Sequence, residues 1–137
     1  MSAEKHRILA IDDSPLLRRS FSDILGKDYI LDVEYNGERG IQSAKENKPS
    51  IILLDIIMPG MSGFEVITVL KAEPSTKDIP VIFITGDDST SSKEKGYQLG
   101  AVDYIEKPLT EIVVRKRVEF NLLLVEYKKR FGEITTL

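Results

Sequence analysis

Three runs of four apolar residues, Ile8-Leu9-Ala10-Ile11, Ile51-Ile52-Leu53-Leu54 and Val81-Ile82-Phe83-Ile84, constrain this chain more than any other feature. A strand with one face in water alternates apolar and polar residues. An unbroken apolar run therefore predicts a strand covered on both faces, as at the centre of a parallel sheet. Two further segments read differently. Tyr29-Ile30-Leu31-Asp32-Val33-Glu34-Tyr35 alternates, with Tyr29, Leu31, Val33 and Tyr35 on one face and Asp32 and Glu34 on the other, and the stretch 101–105 is short and carries Asp103. Both predict edge strands.

Helical patterns lie between these strands. Ser14-Pro15 supplies an N-cap and a proline at the first helical position, after which Leu17, Phe21, Ile24 and Leu25 form an apolar stripe that ends at Gly26. Residues 37–47 carry Ile41 and Ala44, and residues 62–72 carry Phe64, Val66, Ile67 and Leu70. The segment 87–99 is serine-rich with Gly96 inside it, which predicts a marginal, mobile helix. A last helix starts near Thr110 and runs long. Five βα units predict an α/β three-layer sandwich, and right-handed crossovers with three central and two edge strands give a five-stranded parallel sheet of order 2-1-3-4-5, flavodoxin-like.

In such a sheet ligands bind beyond the carboxyl ends of the strands. There the sequence brings Asp12-Asp13, Asp55, Thr85-Gly86 and Glu106-Lys107-Pro108. Taken singly, each has a plain structural reading: paired aspartates cap helices, Thr-Gly makes a turn, and Lys-Pro ends a strand. Asp55 is harder to explain that way, because it interrupts an apolar stretch between Leu54 and Ile56. Converging at one end of the sheet, three carboxylates repel each other unless a cation lies among them. Oxygen-only ligands suit Mg²⁺ or Mn²⁺. A carboxylate beside such a metal can attack phosphorus and form an acyl phosphate, while Lys107 and the Thr85 hydroxyl stabilise the transferring group.

These residues, together with Leu53-Leu54-Asp55-Ile56-Ile57-Met58-Pro59-Gly60-Met61-Ser62-Gly63 and Tyr104-Ile105-Glu106-Lys107-Pro108, resemble the receiver domain of two-component response regulators. That family shares the strand order. The resemblance covers residues 5–128 and implies that Asp55 is the phosphoacceptor, taking a phosphoryl group from a histidine kinase or histidine phosphotransfer protein. It implies that Asp13 binds Mg²⁺ directly, Asp12 mainly through water, and Ile57 through its backbone carbonyl. It further implies that Lys107 pairs with a phosphoryl oxygen next to a cis Lys107-Pro108 bond. Thr85 and Tyr104 are the implied switch pair, reshaping the face made by the fourth helix, fifth strand and fifth helix. Leu109 stands where the family often has phenylalanine. Ile57, two residues after the acceptor, presents only an apolar side chain, which predicts slow self-dephosphorylation, and Asp87 is placed to oppose it.

Composition bounds the alternatives. A chain of 137 residues with 42% apolar content makes one domain with a real core. A formal charge of −3 disfavours nucleic acid as a partner, and one histidine with no cysteine disfavours zinc or Cys–His chemistry. No apolar run approaches the ~20 residues of a membrane span, and residues 1–7 are too polar to open a signal peptide, so a cytoplasmic domain is expected. His6 opens the first strand, at the opposite end from Asp55, so a donor phosphohistidine has to come from another protein. Beyond the domain, residues 129–137 read as a helical extension leading toward an output domain. Val114, Val118, Leu122 and Val125 form the stripe that faces the sheet, and Phe120, Leu124, Tyr127 and Phe131 form a second stripe with heptad spacing. The second stripe either packs on the fourth helix or pairs with another copy in a homodimer. The main competing function is a Mg²⁺-dependent aspartate-nucleophile phosphatase. That class carries Asp-x-Asp after its first strand, whereas the aspartates here are adjacent.

Overall fold

The computed structural model describes residues 5–86 and 89–132. The elements alternate: β1 (Arg7–Ile11), α1 (Pro15–Leu25), β2 (Ile30–Glu34), α2 (Gly37–Asn47), β3 (Ile51–Asp55), α3 (Gly63–Ala72), β4 (Val81–Thr85), α4 (Thr90–Leu99), β5 (Asp103–Glu106) and α5 (Glu111–Phe131). The strands form one parallel sheet in the order β2-β1-β3-β4-β5, in agreement with the order expected from the sequence.

The three apolar tetrads are the central strands, and every one of their residues is buried. Their alternate side chains feed two separate cores. Leu9, Ile52, Leu54 and Phe83 pack with Ile41 of α2 and with Val66, Ile67 and Leu70 of α3. Ile8, Leu53, Ile82 and Ile84 pack on the other face with Phe21 and Leu25 of α1 and with Val114, Val118 and Leu122 of α5. Burial of this kind is what makes an uninterrupted apolar strand favourable.

Caps fix where the helices begin. The Ser14 hydroxyl accepts from the Leu17 N–H at 3.3 Å, with Pro15 in the first turn. Ser62 and Glu65 form a reciprocal capping box at the start of α3.

Several expectations are corrected. β2 starts at Ile30 and ends at Glu34, so Tyr35 leaves the apolar face and is half exposed, with the Arg39 guanidinium 4.8 Å from its ring centre. The favourable cation–ring contact replaces burial in the core. β5 begins at Asp103 rather than at residue 101, after Gly100 ends α4 in the left-handed region. Although β5 lies at the sheet edge, Tyr104 and Ile105 are both buried. α4 begins at Thr90, capped by Ser89, so the helix is shorter than the segment 87–99, and Asp87 lies outside the described residues.

α5 runs for 21 residues. Its first stripe faces the sheet as expected through Val114, Val118 and Leu122, whereas Val125 is only half buried. The second stripe is exposed: Phe120, Leu124, Tyr127 and Phe131 all face solvent, and the Tyr127 and Phe131 rings meet in a tilted contact at 44° with centres 4.8 Å apart. Residues 133–137 of the expected extension lie outside the described part.

Polar contacts also hold α5 to the sheet. Asn121, 3% exposed, donates to Asp103 Oδ2 at 3.1 Å, and Arg117 Nη1 donates to Asp103 Oδ1 at 3.1 Å. The His6 ring bridges the Ser50 hydroxyl at 3.0 Å and the Glu126 carboxylate at 2.9 Å. His6 thus lies at the amino end of β1, as its position before the strand implied. Among the described residues no helix is long and apolar enough to cross a membrane.

Candidate functional site

β1 and β3 are neighbours in register, with Ile11 beside Leu54. Their next residues in sequence, Asp12 and Asp55, therefore come together at the carboxyl end of the sheet. Asp12, Asp13 and Asp55 each offer a carboxylate oxygen, and those oxygens lie within 4.8 Å of one another. Asp12 and Asp55 are buried, while Asp13 is exposed. β4 and β5 complete the site from the other side. Thr85 ends β4 and is buried, and its carbonyl accepts the Lys107 N–H at 2.8 Å. Lys107 follows β5 and reaches back to place Nζ 3.1 Å from Asp55 Oδ1. The Lys107-Pro108 bond is cis, as expected.

The charges are poorly balanced. Burial, followed by the negative charge of Asp12, pushes the Asp55 pKa up to about 6, against the opposing pull of Lys107. Burial also raises the pKa of Asp12, partly offset by its bond from the Ser14 N–H at 2.9 Å. The other oxygen of Asp12, Oδ2, is buried with no hydrogen-bond partner among the described residues. A buried carboxylate oxygen without a partner is costly, and a hard divalent cation beside three carboxylates is the group that relieves it. The donor set thus fits Mg²⁺ or Mn²⁺: all oxygen, with one carboxylate open to solvent.

The loop after β3 is tightly folded beside this cluster. Gly63, the first residue of α3, approaches so closely that a Cβ would collide with the Asp55 carbonyl oxygen and lie 2.7 Å from Ile56 Cα. Its N–H donates to the Ile56 carbonyl at 2.7 Å, which folds the β3–α3 loop back beside the end of β3. Ile57 stands on that loop with its side chain 72% exposed. Arg18 of α1 was not singled out from the sequence, yet it donates to the Asp12 carbonyl at 2.8 Å and so fixes the backbone between the two adjacent aspartates. Its position one turn into α1, on the same side as Ser14, is the signal that would have found it.

Tyr104 lies one strand pair away from Thr85. Its ring is buried against Phe83 and Tyr97, at 5.7 and 5.1 Å between centres. Its hydroxyl donates to the carbonyls of Ser92 and Lys93, at 3.2 and 3.0 Å, in the first turns of α4. Of the residues anticipated for the site, Asp12, Asp13, Asp55 and Lys107 lie together and Thr85 joins them through its bond from the Lys107 N–H, whereas Tyr104 lies beside α4 and Ile57 is placed only on the exposed β3–α3 loop.

Comparison with known proteins gives one consistent result. A family model described as the response regulator receiver domain matches residues 8–119. A protein named probable cyclic di-GMP phosphodiesterase from Vibrio cholerae is 38% identical over 115 residues, covering 84% of this chain and 26% of that protein. Protein PilH of Pseudomonas aeruginosa is 38% identical over 114 residues, covering 82% of this chain and 93% of PilH. The chain thus spans about a quarter of the first relative and nearly all of the second. Among solved structures, the Vibrio cholerae chemotaxis protein CheY4 superposes with a TM-score of 0.82 at 25% identity, covering 85% of this chain and 98% of that one.

Proposed function

The chain belongs to the response regulator receiver domain family, and from that premise we propose that Asp55 is its phosphoacceptor, loaded by a histidine kinase or histidine phosphotransfer protein. The observation that carries this reading is the buried Asp55 carboxylate held 3.1 Å from Lys107 within a cluster of three aspartates. In the transfer, an Asp55 oxygen forms a bond to phosphorus as the P–N bond of the donor phosphohistidine breaks, and the imidazole leaves with its electron pair and takes up a proton. Lys107 holds the acceptor and neutralises charge on the phosphoryl oxygens. Asp12, Asp13, Asp55 and the Ile57 carbonyl are the ligands proposed for Mg²⁺. When bound, the cation cancels the repulsion among the carboxylates and stabilises charge on the phosphoryl group. Thr85 and Tyr104 form the switch pair.

The exposed Ile57 side chain offers no polar group to orient a hydrolytic water, so the phosphorylated form is expected to last well beyond seconds. The output is a changed face on α4, β5 and α5, passed to a partner, a further domain or a second copy. Heptad spacing and the exposure of Phe120, Leu124, Tyr127 and Phe131 support pairing of α5 with another copy.

Intact mass after incubation with Mg²⁺ and acetyl phosphate tests the central claim. A retained gain of roughly 80 Da, one phosphoryl group, is expected in the wild type and not in Asp55→Asn. Turnover of the donor without a retained adduct would point instead to an aspartate-nucleophile phosphatase. No gain at all would reject phosphoacceptance.

A further inference from the structure

α4 buries one residue among its ten, and that residue is Gly96. A glycine inside a helix weakens it, and α4 already carries Thr90, Ser91 and Ser92 in its first turn. Such a glycine needs a packing reason. The reason here is Tyr104. A Cβ on Gly96 would collide with the Tyr104 hydroxyl oxygen, and would sit 2.9 Å from Tyr104 Cζ and 3.1 Å from Phe83 Cδ2. The phenol therefore occupies the space that a side chain at position 96 would fill. From there its hydroxyl reaches the Ser92 and Lys93 carbonyls, which are otherwise accessible only along the helix backbone.

We propose that Gly96 is a positioning residue of the switch: the inward state of Tyr104 exists because residue 96 has no side chain. The inference rests on the reading of Thr85 and Tyr104 as the switch pair and adds the element that makes their states discrete. With Tyr104 inward, its ring fills the gap under Gly96 and its hydroxyl ties down the first turns of α4. With a methyl group at position 96, either the ring turns out to solvent or α4 lifts from the sheet, because a well-packed core does not deform continuously. If the phosphorylated state favours the inward ring, then by linkage any change that expels the ring disfavours that state, or an equilibrium mimic of it, by the same coupling free energy.

Fluorine NMR of the full chain labelled with 3-fluorotyrosine, with the Tyr104 resonance identified by its loss in Tyr104→Phe, reads the steric claim directly. In the wild type this resonance should resist broadening by a soluble gadolinium chelate. In Gly96→Ala it should broaden like an exposed tyrosine. A melting cycle gives a second readout. In a Tyr104→Ala background, Gly96→Ala should raise Tm by about 2–6 °C, since alanine is the better helix former and the one close neighbour left, Phe83 Cδ2 at 3.1 Å, can shift into the space the phenol vacates. In the wild-type background the same change should give no rise. Affinity for beryllofluoride in the presence of Mg²⁺, an equilibrium mimic of the acyl phosphate, should fall by about fivefold or more in Gly96→Ala.

A Tyr104 resonance that stays protected in Gly96→Ala, or an equal rise in Tm in both backgrounds, overturns the proposal. An exposed ring with an unchanged beryllofluoride affinity removes its link to the switch. Failure of the wild type itself to take up phosphate defeats the phosphoacceptor reading and leaves the fluorine and melting results to be judged alone.

Discussion

α3 and α4 are both helices of ten residues, adjacent on one face of the sheet, and they are held by opposite means. α3 buries Val66, Ile67 and Leu70 completely and opens with a reciprocal capping box. Each such side chain contributes roughly 1.5–3 kcal/mol on burial. α4 buries no large side chain of its own. Its Tyr97 is half exposed, and its Leu99 is only partly covered. What holds α4 is supplied from β5: the Tyr104 hydroxyl on its carbonyls and the Glu106 carboxylate 2.9 Å from Lys93. The hydrogen bond from Lys93 also keeps the Glu106 pKa below the usual carboxylate range. A helix anchored by its own apolar face is part of the scaffold, whereas one anchored by a few polar contacts can move at small cost.

The largest test of this contrast is truncation. Leu70→Ala should lower unfolding stability by about 2–5 kcal/mol, whereas Leu99→Ala should cost about 1 kcal/mol or less, both read by urea denaturation. Equal losses would break the distinction.

Next in size is the charge at the end of β3, where the loop to α3 begins. Because the folded-state pKa of Asp55 is raised from 3.8 to about 6, the folded protein retains a proton between those values that the unfolded chain has released. Stability should therefore fall as pH rises through that window. Without divalent cation, Asp55→Asn should stabilise the protein at pH 7 by on the order of 1–3 kcal/mol, with the gain vanishing near pH 4. Millimolar Mg²⁺ should raise the melting temperature of the wild type more than that of the variant.

A smaller effect separates the caps. Ser62→Ala should cost about 1 kcal/mol of global stability, while Ser89→Ala should speed amide exchange within α4 and leave the global midpoint in place. Last, amide protection on phosphorylation should change in α4 and stay constant in α3. A change shared by both helices would mean that the sheet face moves as one body.

The contrast was partly legible in the sequence. The serine-rich stretch around Gly96 reads as a marginal helix, and the apolar tetrads identify the central strands because burial on both faces leaves so clear a pattern. Strand order and the convergence of Asp12, Asp13, Asp55, Thr85 and Lys107 follow from topology. Tyr35 did not follow, because alternation predicts a face but not where the strand ends. Arg18 did not follow either, since its role runs through a backbone carbonyl that no side-chain pattern marks. An inward Tyr104 came from the resemblance alone, and the space under Gly96 that its ring fills, eight positions earlier, is not marked by periodicity.

The bond from Asn121 to Asp103 has a mechanical meaning. It fixes α5 to the start of β5 at a buried point partway along the helix, with ten residues continuing beyond it to Phe131. That outer arm is ~15 Å long. A tilt of roughly 10° about Asn121 would sweep Phe131 through about 2.6 Å, enough to slide its ring from contact to clash against a neighbour. The arm is moored a second time at Glu126, whose carboxylate lies 2.9 Å from the His6 ring, so such a tilt would have to break or carry that contact to move the far tip, at the opposite end of the sheet from the carboxylates.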